Sequence, residues 1–280
     1  MLTRLIAGLI GIAIVIPMVF YRGGLPFTIL VGLAAILGLL EFYGGARRGG
    51  YRPNFAFGIA TAVLLLCYGR RFGTDAFDAL VPIFTAFLLL ALAYELIRQQ
   101  RAPFVNIGVT ALGLGYVVWL LLHFVWLRMI SGTVTVGGME SGRGAWLVMF
   151  VLLCTWATDT GAYFIGKFYG RKKLTPRLSP GKTVEGAVGG LALSIIVGAV
   201  TAAIIGIPQP HGLVLGAMIG ITAQIGDLTG SAFKREVNIK DFGALIPGHG
   251  GILDRIDSLL FTGPITFWYI TTALKTWLGS

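Results

Sequence analysis

Long apolar runs recur along the whole chain and are separated by short polar segments. Nine of these runs are long enough to cross, as helices, the roughly 30 Å hydrocarbon core of a bilayer. They cover residues 5–21, 26–43, 54–69, 79–97, 104–126, 145–168, 184–206, 211–232 and 258–278. Segments of about ten residues with alternating polarity, which a membrane β-barrel requires, do not occur in the sequence. The pattern predicts an all-α, polytopic integral membrane protein with about nine transmembrane helices.

The composition supports this class. Only 12% of the 280 residues are charged, 56% are hydrophobic and the mean hydropathy is +0.83, whereas about a quarter of the residues of a soluble domain are charged. The first run follows Arg4, as in a signal peptide, but the YRGGLP that comes after it offers no small-residue cleavage site, so we treat it as a membrane helix. Cys67 and Cys154 lie inside apolar runs, which predicts small buried hydrophobes and no disulfide framework.

The net charge of +10 is distributed unevenly. With nine spans, the N-terminus and the even-numbered loops share one side of the membrane. That side holds sixteen of the 22 Lys and Arg residues and the other side holds six. Because cytoplasmic loops carry the excess of Lys and Arg, the N-terminus and the even loops are predicted to face the cytoplasm, in the inner membrane of the cell. Anionic lipid headgroups and a phosphorylated ligand explain the surplus better than nucleic acid does.

The loops divide the chain into two regions. Up to residue 144 the connections are short, and we expect residues 1–144 to be a scaffold of transmembrane helices. In this region Glu41 and Glu95 each lie near the end of an apolar run, where anchoring at the interface is the simplest role. Two long polar loops, 169–183 and 233–257, lie in the second region. Residues 145–280 are therefore expected to carry the chemistry, at a polar cavity that faces the cytoplasm, within one integrated membrane domain.

Two apolar runs contain a carboxylate. In TAQIGDLTGSAFKR, the residues Gln224, Asp227, Ser231 and Lys234 are spaced by three or four positions and share one face of a helix. Asp159 lies still deeper among apolar residues of its own run. A carboxylate inside a membrane span is costly unless it is paired or functional. A structural hydrogen bond remains the alternative for both residues, and a transporter with a buried carboxylate pathway along Asp159 and Asp227 is the alternative function.

The loop GRKKLTPRLSPGKTVEG is strongly basic. Topology and lipid headgroups can account for its first three cations. Pro180 and Gly181 are predicted to form a turn, after which KTVEG opens the next helix. Because free backbone N–H groups at a helix start suit a phosphate, we expect Ser179, Lys182 and Thr183 to contact one. The glycine spacing of a P-loop is missing.

The second polar loop ends in GHGGILDRID. Asp254 and Asp257 are one helical turn apart, and carboxylates beside glycine-rich backbone suit Mg²⁺ when phosphate oxygens complete its coordination. His249 has no second His or Cys at metal-ligand spacing, which argues against zinc. An ion-pair cap of the last long helix is the alternative. Together the two loops favour phosphoryl-type transfer, which needs positioning and charge neutralisation rather than a nucleophilic side chain.

The 27 residues SAFKREVNIKDFGALIPGHGGILDRID, positions 231–257, resemble the signature of the phosphatidate cytidylyltransferases, also called CDP-diglyceride synthases. The runs DTGAYFIGKFYG and SPGKTVEG are similar to the same family, so the resemblance covers at least residues 155–260. It implies condensation of CTP with phosphatidate to give CDP-diacylglycerol and pyrophosphate, with Mg²⁺, at the cytoplasmic face. A second, monovalent cation such as K⁺ and a homodimer are also implied.

The resemblance assigns expected roles by position. Asp227 and Asp254 would hold the metal, with Asp159 and Asp257 as further possible ligands, and Ser231 and Lys234 would act beside them. The remaining phosphate and CTP contacts would come from Ser179, Lys182, Thr183, Arg235, Lys240, His249 and Arg255. A CDP-alcohol phosphatidyltransferase is a further alternative, but the D-G-x-x-A-R run of that class is absent from the sequence.

Overall fold

The computed structural model describes residues 2–73, 77–98, 102–245 and 250–279. Over these residues the chain is mostly helical. The helices are α1 (Leu2–Phe20), α2 (Leu25–Arg48), α3 (Phe55–Phe72), α4 (Phe77–Arg98), α5 (Pro103–Met129), α6 (Arg143–Tyr169), α7 (Val184–Ile205), α8 (His211–Glu236), α9 (Leu253–Ala273) and α10 (Lys275–Gly279). A π-helical segment, Leu114–Trp119, interrupts α5. The predicted helical membrane class is confirmed.

Seven of the described helices, α2 to α8, are long and apolar enough to cross a membrane. The described apolar part of α1, Gly8–Phe20, is shorter than that. Helix α9 begins with Asp254, Arg255 and Asp257, and only residues 258–273 of it are free of charge. Several helices also run past the predicted apolar ends, because polar residues can continue a helix beyond the hydrocarbon. Glu41 therefore lies within α2, which ends at Arg48.

Two short hairpins lie in the connections between helices. In the first, β1 (Thr133–Val136) pairs antiparallel with β2 (Met139–Gly142), and Thr133 faces Gly142 across the pair. Its two-residue turn, Gly137 and Gly138, has positive φ at both positions, which glycine adopts without strain. In the second hairpin, β3 (Lys173–Thr175) pairs with β4 (Ser179–Thr183). The hydrophobic pattern predicted neither hairpin.

The contacts group the chain into two compact units. The first unit consists of Met1–Trp126 with Lys234–Ile256, and the second of Leu127–Phe233 with Asp257–Ser280. In the first unit, Tyr43 of α2 is fully buried and its hydroxyl donates to the Thr110 carbonyl of α5 at 2.8 Å. Asn54 caps the start of α3 by accepting the Phe57 N–H. Cys67 is exposed on α3, so the prediction that it is buried is wrong.

In the second unit, glycines let successive helices approach closely. A Cβ at Gly190 of α7 would lie 2.6 Å from the Thr158 carbonyl of α6, and one at Gly216 of α8 would lie 2.7 Å from the Ser194 carbonyl of α7. Gly226 of α8 lies against the Asp257 backbone of α9 in the same way. Small residues are the usual means of close packing between membrane helices. The functional part of α8 is therefore held between close neighbours on both sides.

The start of α6 and the C-terminal end of the described chain are joined by one arginine. The buried Arg143 donates through Nη1 to the carbonyls of Trp277 and Leu278, at 3.0 and 2.8 Å. Its guanidinium lies 4.7 Å from the centre of the Trp277 ring. Both interactions occur within the second unit.

Candidate functional site

Asp254 lies at the start of α9 and accepts three hydrogen bonds within the first unit. Lys234 Nζ donates to Oδ1 at 2.7 Å, and the N–H groups of Phe242 and Gly251 donate to Oδ2 at 2.9 and 3.0 Å. The Asp254 side chain is only 2% exposed. A carboxylate in the first turn of a helix is favoured by the exposed N–H groups and the dipole there. The connection between α8 and α9 therefore directs two of its backbone N–H groups, those of Phe242 and Gly251, at the Asp254 carboxylate.

Asp241 lies beside Asp254, although the motifs alone predicted no role for it in the site. Gly250, between them, has φ of +80°, and a Cβ there would come within 2.9 Å of Asp254 Oδ2 and 3.3 Å of Asp241 Oδ1. Only glycine satisfies both the backbone conformation and the limited space. Two carboxylates thus lie around one glycine, and Lys234 binds the far oxygen of one of them. In the sequence, Asp241 stands in the KDFG run, where its membership of the 231–257 signature is the one indication of a role.

Asp227 forms an ion pair with Lys182 in the second unit. Helix α8 supplies the aspartate and strand β4 supplies the lysine. The two side chains are 34% and 26% exposed, but the Lys182 Nζ atom itself is buried. Two residues that the sequence assigned to metal and phosphate are therefore in direct contact with each other. Gln224, on the same face of α8, donates to the Ala187 carbonyl of α7 and takes a structural role.

The other predicted carboxylates differ in environment. Asp257 is buried against Gly226 and Gly230 of α8, and its Oδ1 accepts the Ser258 N–H at 2.8 Å. Asp159 lies within α6 and its side chain is exposed. Ser231 is buried in α8, one turn before Lys234.

The basic loop is more structured than predicted. Pro180 and Gly181 lie in β4, and the turn occupies residues 176–178, so the predicted turn position is wrong. The Thr183 hydroxyl caps α7 by accepting the Gly186 N–H at 3.1 Å. The Val184 N–H donates to the Lys172 carbonyl at 2.8 Å. Because protein groups already bind these N–H groups, the start of α7 is a weaker phosphate site than the sequence indicated. Ser179 pairs with Thr175 in the hairpin.

Three of the predicted phosphate-binding cations, Arg235, Lys240 and Arg255, have exposed side chains. His249 lies outside the described residues. Among the residues that the structure describes, no three or more His, Cys, Asp or Glu side chains gather to bind a metal. Mg²⁺ commonly binds through one or two carboxylates and completes its shell with water and phosphate oxygens. The pair of Asp241 and Asp254 carboxylates around Gly250 fits that donor set.

Comparison with known proteins gives full-length matches. A profile described as "Cytidylyltransferase family" matches residues 2–273. The chain is 34% identical to the phosphatidate cytidylyltransferase of Synechocystis sp., over 97% of each chain. It is 30% identical to the phosphatidate cytidylyltransferase of Bacillus subtilis, over 95% of this chain and 96% of the relative. An uncharacterized protein of Escherichia coli, YnbB, is 37% identical over 70% of this chain and 64% of its own length.

Proposed function

Because this chain belongs to the cytidylyltransferase family, we propose that it condenses CTP with phosphatidate, giving CDP-diacylglycerol and pyrophosphate for phospholipid synthesis. The observation that carries the proposal is the match, over nearly the whole of both chains, to relatives named phosphatidate cytidylyltransferase. The loop that bears the signature also carries the Asp254 cluster, the most enclosed group of charged side chains described above. The enzyme is a nucleotidyltransferase of the membrane.

In the proposed reaction a phosphate oxygen of phosphatidate attacks the α-phosphorus of CTP in line. The bond from the α-phosphorus to the bridging oxygen of the β-phosphate breaks, and pyrophosphate leaves with that electron pair. The attacking phosphate is already largely ionised at neutral pH, so the protein need not supply a general base. Its main tasks are to position the two phosphates and to offset their charge.

The residues divide these tasks according to their environments. Asp254 and Asp241 would hold Mg²⁺, and Asp227 would supply a further ligand as the sequence predicts. The bound ion would neutralise phosphate charge and polarise the reacting phosphorus. Lys234, paired with Asp254, and Lys182, paired with Asp227, would supply ammonium groups to phosphate oxygens. Arg235, Lys240 and Arg255 are exposed cations that would stabilise the departing pyrophosphate.

Several predictions from the sequence accompany this proposal. We keep Ser231, Ser179, Thr183 and His249 as substrate contacts and Asp159 and Asp257 as possible further ligands. The monovalent cation, the homodimer and the cytoplasmic orientation of the active site stay predictions.

The test is an assay of the purified full-length protein with labelled CTP and phosphatidate, with and without Mg²⁺. We expect CDP-diacylglycerol only when both substrates and the ion are present. Asp254→Asn and Asp227→Asn should each abolish turnover, because an amide replaces a charged ligand. Glu140→Gln, in the exposed hairpin strand β2, is the matched control and should keep normal activity. Near-normal turnover in either aspartate variant would remove that residue from the site, and an inactive wild type would refute the proposed function.

A further inference from the structure

Glu41 of α2 binds the start of α9 from far away in the sequence. Its Oε2 accepts the Leu253 N–H at 2.8 Å and its Oε1 accepts the Ile252 N–H at 3.1 Å. The first N–H groups of a helix have no carbonyl partner within the helix and need one from elsewhere. Glu41 supplies that partner to two of them with one side chain. All of these residues belong to the first unit.

The carboxylates of Glu41 and Asp254 divide three consecutive N–H groups between them. Asp254 accepts the N–H of Gly251, and Glu41 accepts the next two. These bonds fix the backbone immediately before Asp254. The hydrogen bond from the Phe242 N–H attaches an earlier part of the loop to the same Asp254 carboxylate. A shift of the Glu41 carboxylate would displace the turn that sets the direction of the Asp254 side chain.

Two glycines of the loop leave the space that Glu41 occupies. A Cβ at Gly243 or at Gly251 would overlap the Glu41 carboxylate group, well inside van der Waals contact. Neither glycine has a positive φ, so the requirement is for space and not for backbone conformation. The loop is therefore shaped around this one acidic side chain.

The rest of the same face of α2 is built from glycine. Gly38 and Gly45 are spaced from Glu41 by three and four positions and lie on its side of the helix, and Gly49 follows directly after the helix ends. A Cβ at Gly45 would lie 3.1 Å from Phe242, and one at Gly49 would lie 2.5 Å from Val237. This face, which we call the α2 platform, contacts Val237, Ile239 and Phe242 before the described gap and Leu253 and Ile256 after it. Glu41 is its polar member.

We propose that Glu41 is a positioning residue for the transfer reaction, which holds Asp254 and the loop in their working geometry without touching substrate. The inference rests on the proposed function. A misplacement of about 1 Å in a catalytic group can lower the rate by about 10²-fold. Loss of Glu41 should therefore reduce kcat by that order while the KM for phosphatidate changes little.

The first experiment compares Glu41→Ala, Glu41→Gln and the wild type in the full-length protein. We expect kcat to fall in the order wild type, Gln, Ala, because the glutamine amide keeps one acceptor oxygen for the two N–H groups. Glu95→Gln is the matched control, since Glu95 is a buried carboxylate of the first unit that pairs with Arg98 and does not contact the loop. An unchanged kcat in Glu41→Ala, or an equal loss in Glu95→Gln, would overturn the assignment.

The second experiment combines Glu41→Ala with Gly251→Ala. Alone, Gly251→Ala should lower kcat, because its Cβ displaces the Glu41 carboxylate. In the Glu41→Ala background the carboxylate is gone, so the same change should cause little further loss. Independent, multiplicative losses would show that Gly251 acts through some other contact and would contradict the proposal.

Amide hydrogen exchange of the full-length protein separates this inference from the proposed function. In detergent and without substrate, Glu41→Ala should speed exchange at Ile252 and Leu253, while Glu95→Gln should not. This readout does not depend on turnover. If the wild type is inactive but Glu41→Ala still speeds exchange, the proposed function is refuted and the structural role of Glu41 stands. Unchanged exchange would overturn the role of Glu41 whatever the activity. Faster exchange with a normal kcat would show that Glu41 stabilises the fold without positioning the reaction, which would also overturn the assignment.

Discussion

At the scale of single residues, two Asp–Lys pairs of the same chemistry differ in their exposure to water. The side chains of Lys234 and Asp254 are 12% and 2% exposed, whereas Lys182 and Asp227 are both about a third exposed or a little less. A solvated pair contributes about 0–1 kcal/mol to folding. Removing one partner of a buried pair costs about 3–5 kcal/mol, because the remaining charge is left uncompensated. The two pairs should therefore contribute differently to the free energy of unfolding.

This difference predicts opposite results for two lysine variants. Lys234→Met should lower the free energy of unfolding by about 3 kcal/mol, since Asp254 keeps only its two backbone donors. Lys182→Met should lower it by less, because the Asp227 carboxylate that remains is 34% exposed and stays solvated, and it should instead raise the KM for CTP. Unfolding in detergent and steady-state kinetics on both variants provide the measurements. Equal destabilisation by the two changes would contradict the argument from burial.

Residue roles were predictable where their evidence was local in the sequence. Asp254 and Lys234 stand in one motif, and the structure brings them into contact. The two hydrogen bonds of Glu41 connect it to residues 211 and 212 positions away, and no spacing rule reaches that far. The sequence therefore indicated interface anchoring for Glu41. The pairing of Lys182 with Asp227 is hidden for the same reason, because it joins a strand and a helix.

At the scale of elements, close helix packing depends on which glycines face a neighbour. Gly190 of α7 faces the Thr158 carbonyl of α6, while a Cβ at Gly32 of α2 would meet nothing within 4 Å. Gly→Ala within a helix is favourable by about 0.5–1 kcal/mol when the site has room. The effect of Gly→Ala on the free energy of unfolding therefore changes sign with the space around the glycine.

We accordingly expect Gly190→Ala to destabilise the protein and Gly32→Ala to leave it unchanged or slightly more stable. The added methyl at Gly190 must push α6 and α7 apart, which loosens the pair that holds β4 and Lys182. Thermal unfolding in detergent compares the two variants directly. Similar melting temperatures for both would mean that α6 and α7 separate at little cost.

The elements themselves were predicted unevenly, for physical reasons. Long helices follow from apolar runs that must satisfy their backbone within the bilayer, so their existence was predictable. Their ends were not, since α2 and α8 continue through polar residues as far as Arg48 and Glu236. The two hairpins have only three to five residues in each strand, too few for an alternating pattern to be recognised.

At the scale of the whole molecule, the distribution of charge predicts the orientation in the membrane. The β3–β4 hairpin belongs to the side rich in Lys and Arg and should face the cytoplasm. The same distribution predicts that the β1–β2 hairpin faces the other side. Single cysteines at Arg177 and at Gly138, in a background without Cys67 and Cys154, allow the two sides to be compared in intact cells.

An impermeant thiol reagent should label the cysteine at position 138 in intact cells and the cysteine at position 177 only after the cells are opened. Lys and Arg dominate this expectation because their excess is retained on the cytoplasmic side during insertion. The reverse labelling pattern would invert the orientation and place the proposed active site outside the cytoplasm. Labelling of both sites in intact cells would refute the predicted span count between them.

The contact that Arg143 makes with the last described helix has a practical consequence for handling the protein. Trp277 and Leu278 accept hydrogen bonds from a buried guanidinium, so this segment contributes to the packing of the second unit. Trimming these residues, by protease or by gene design, would leave a desolvated cation without acceptors at the start of α6. Affinity tags are better joined through a spacer beyond Gly279 than by replacing the final residues.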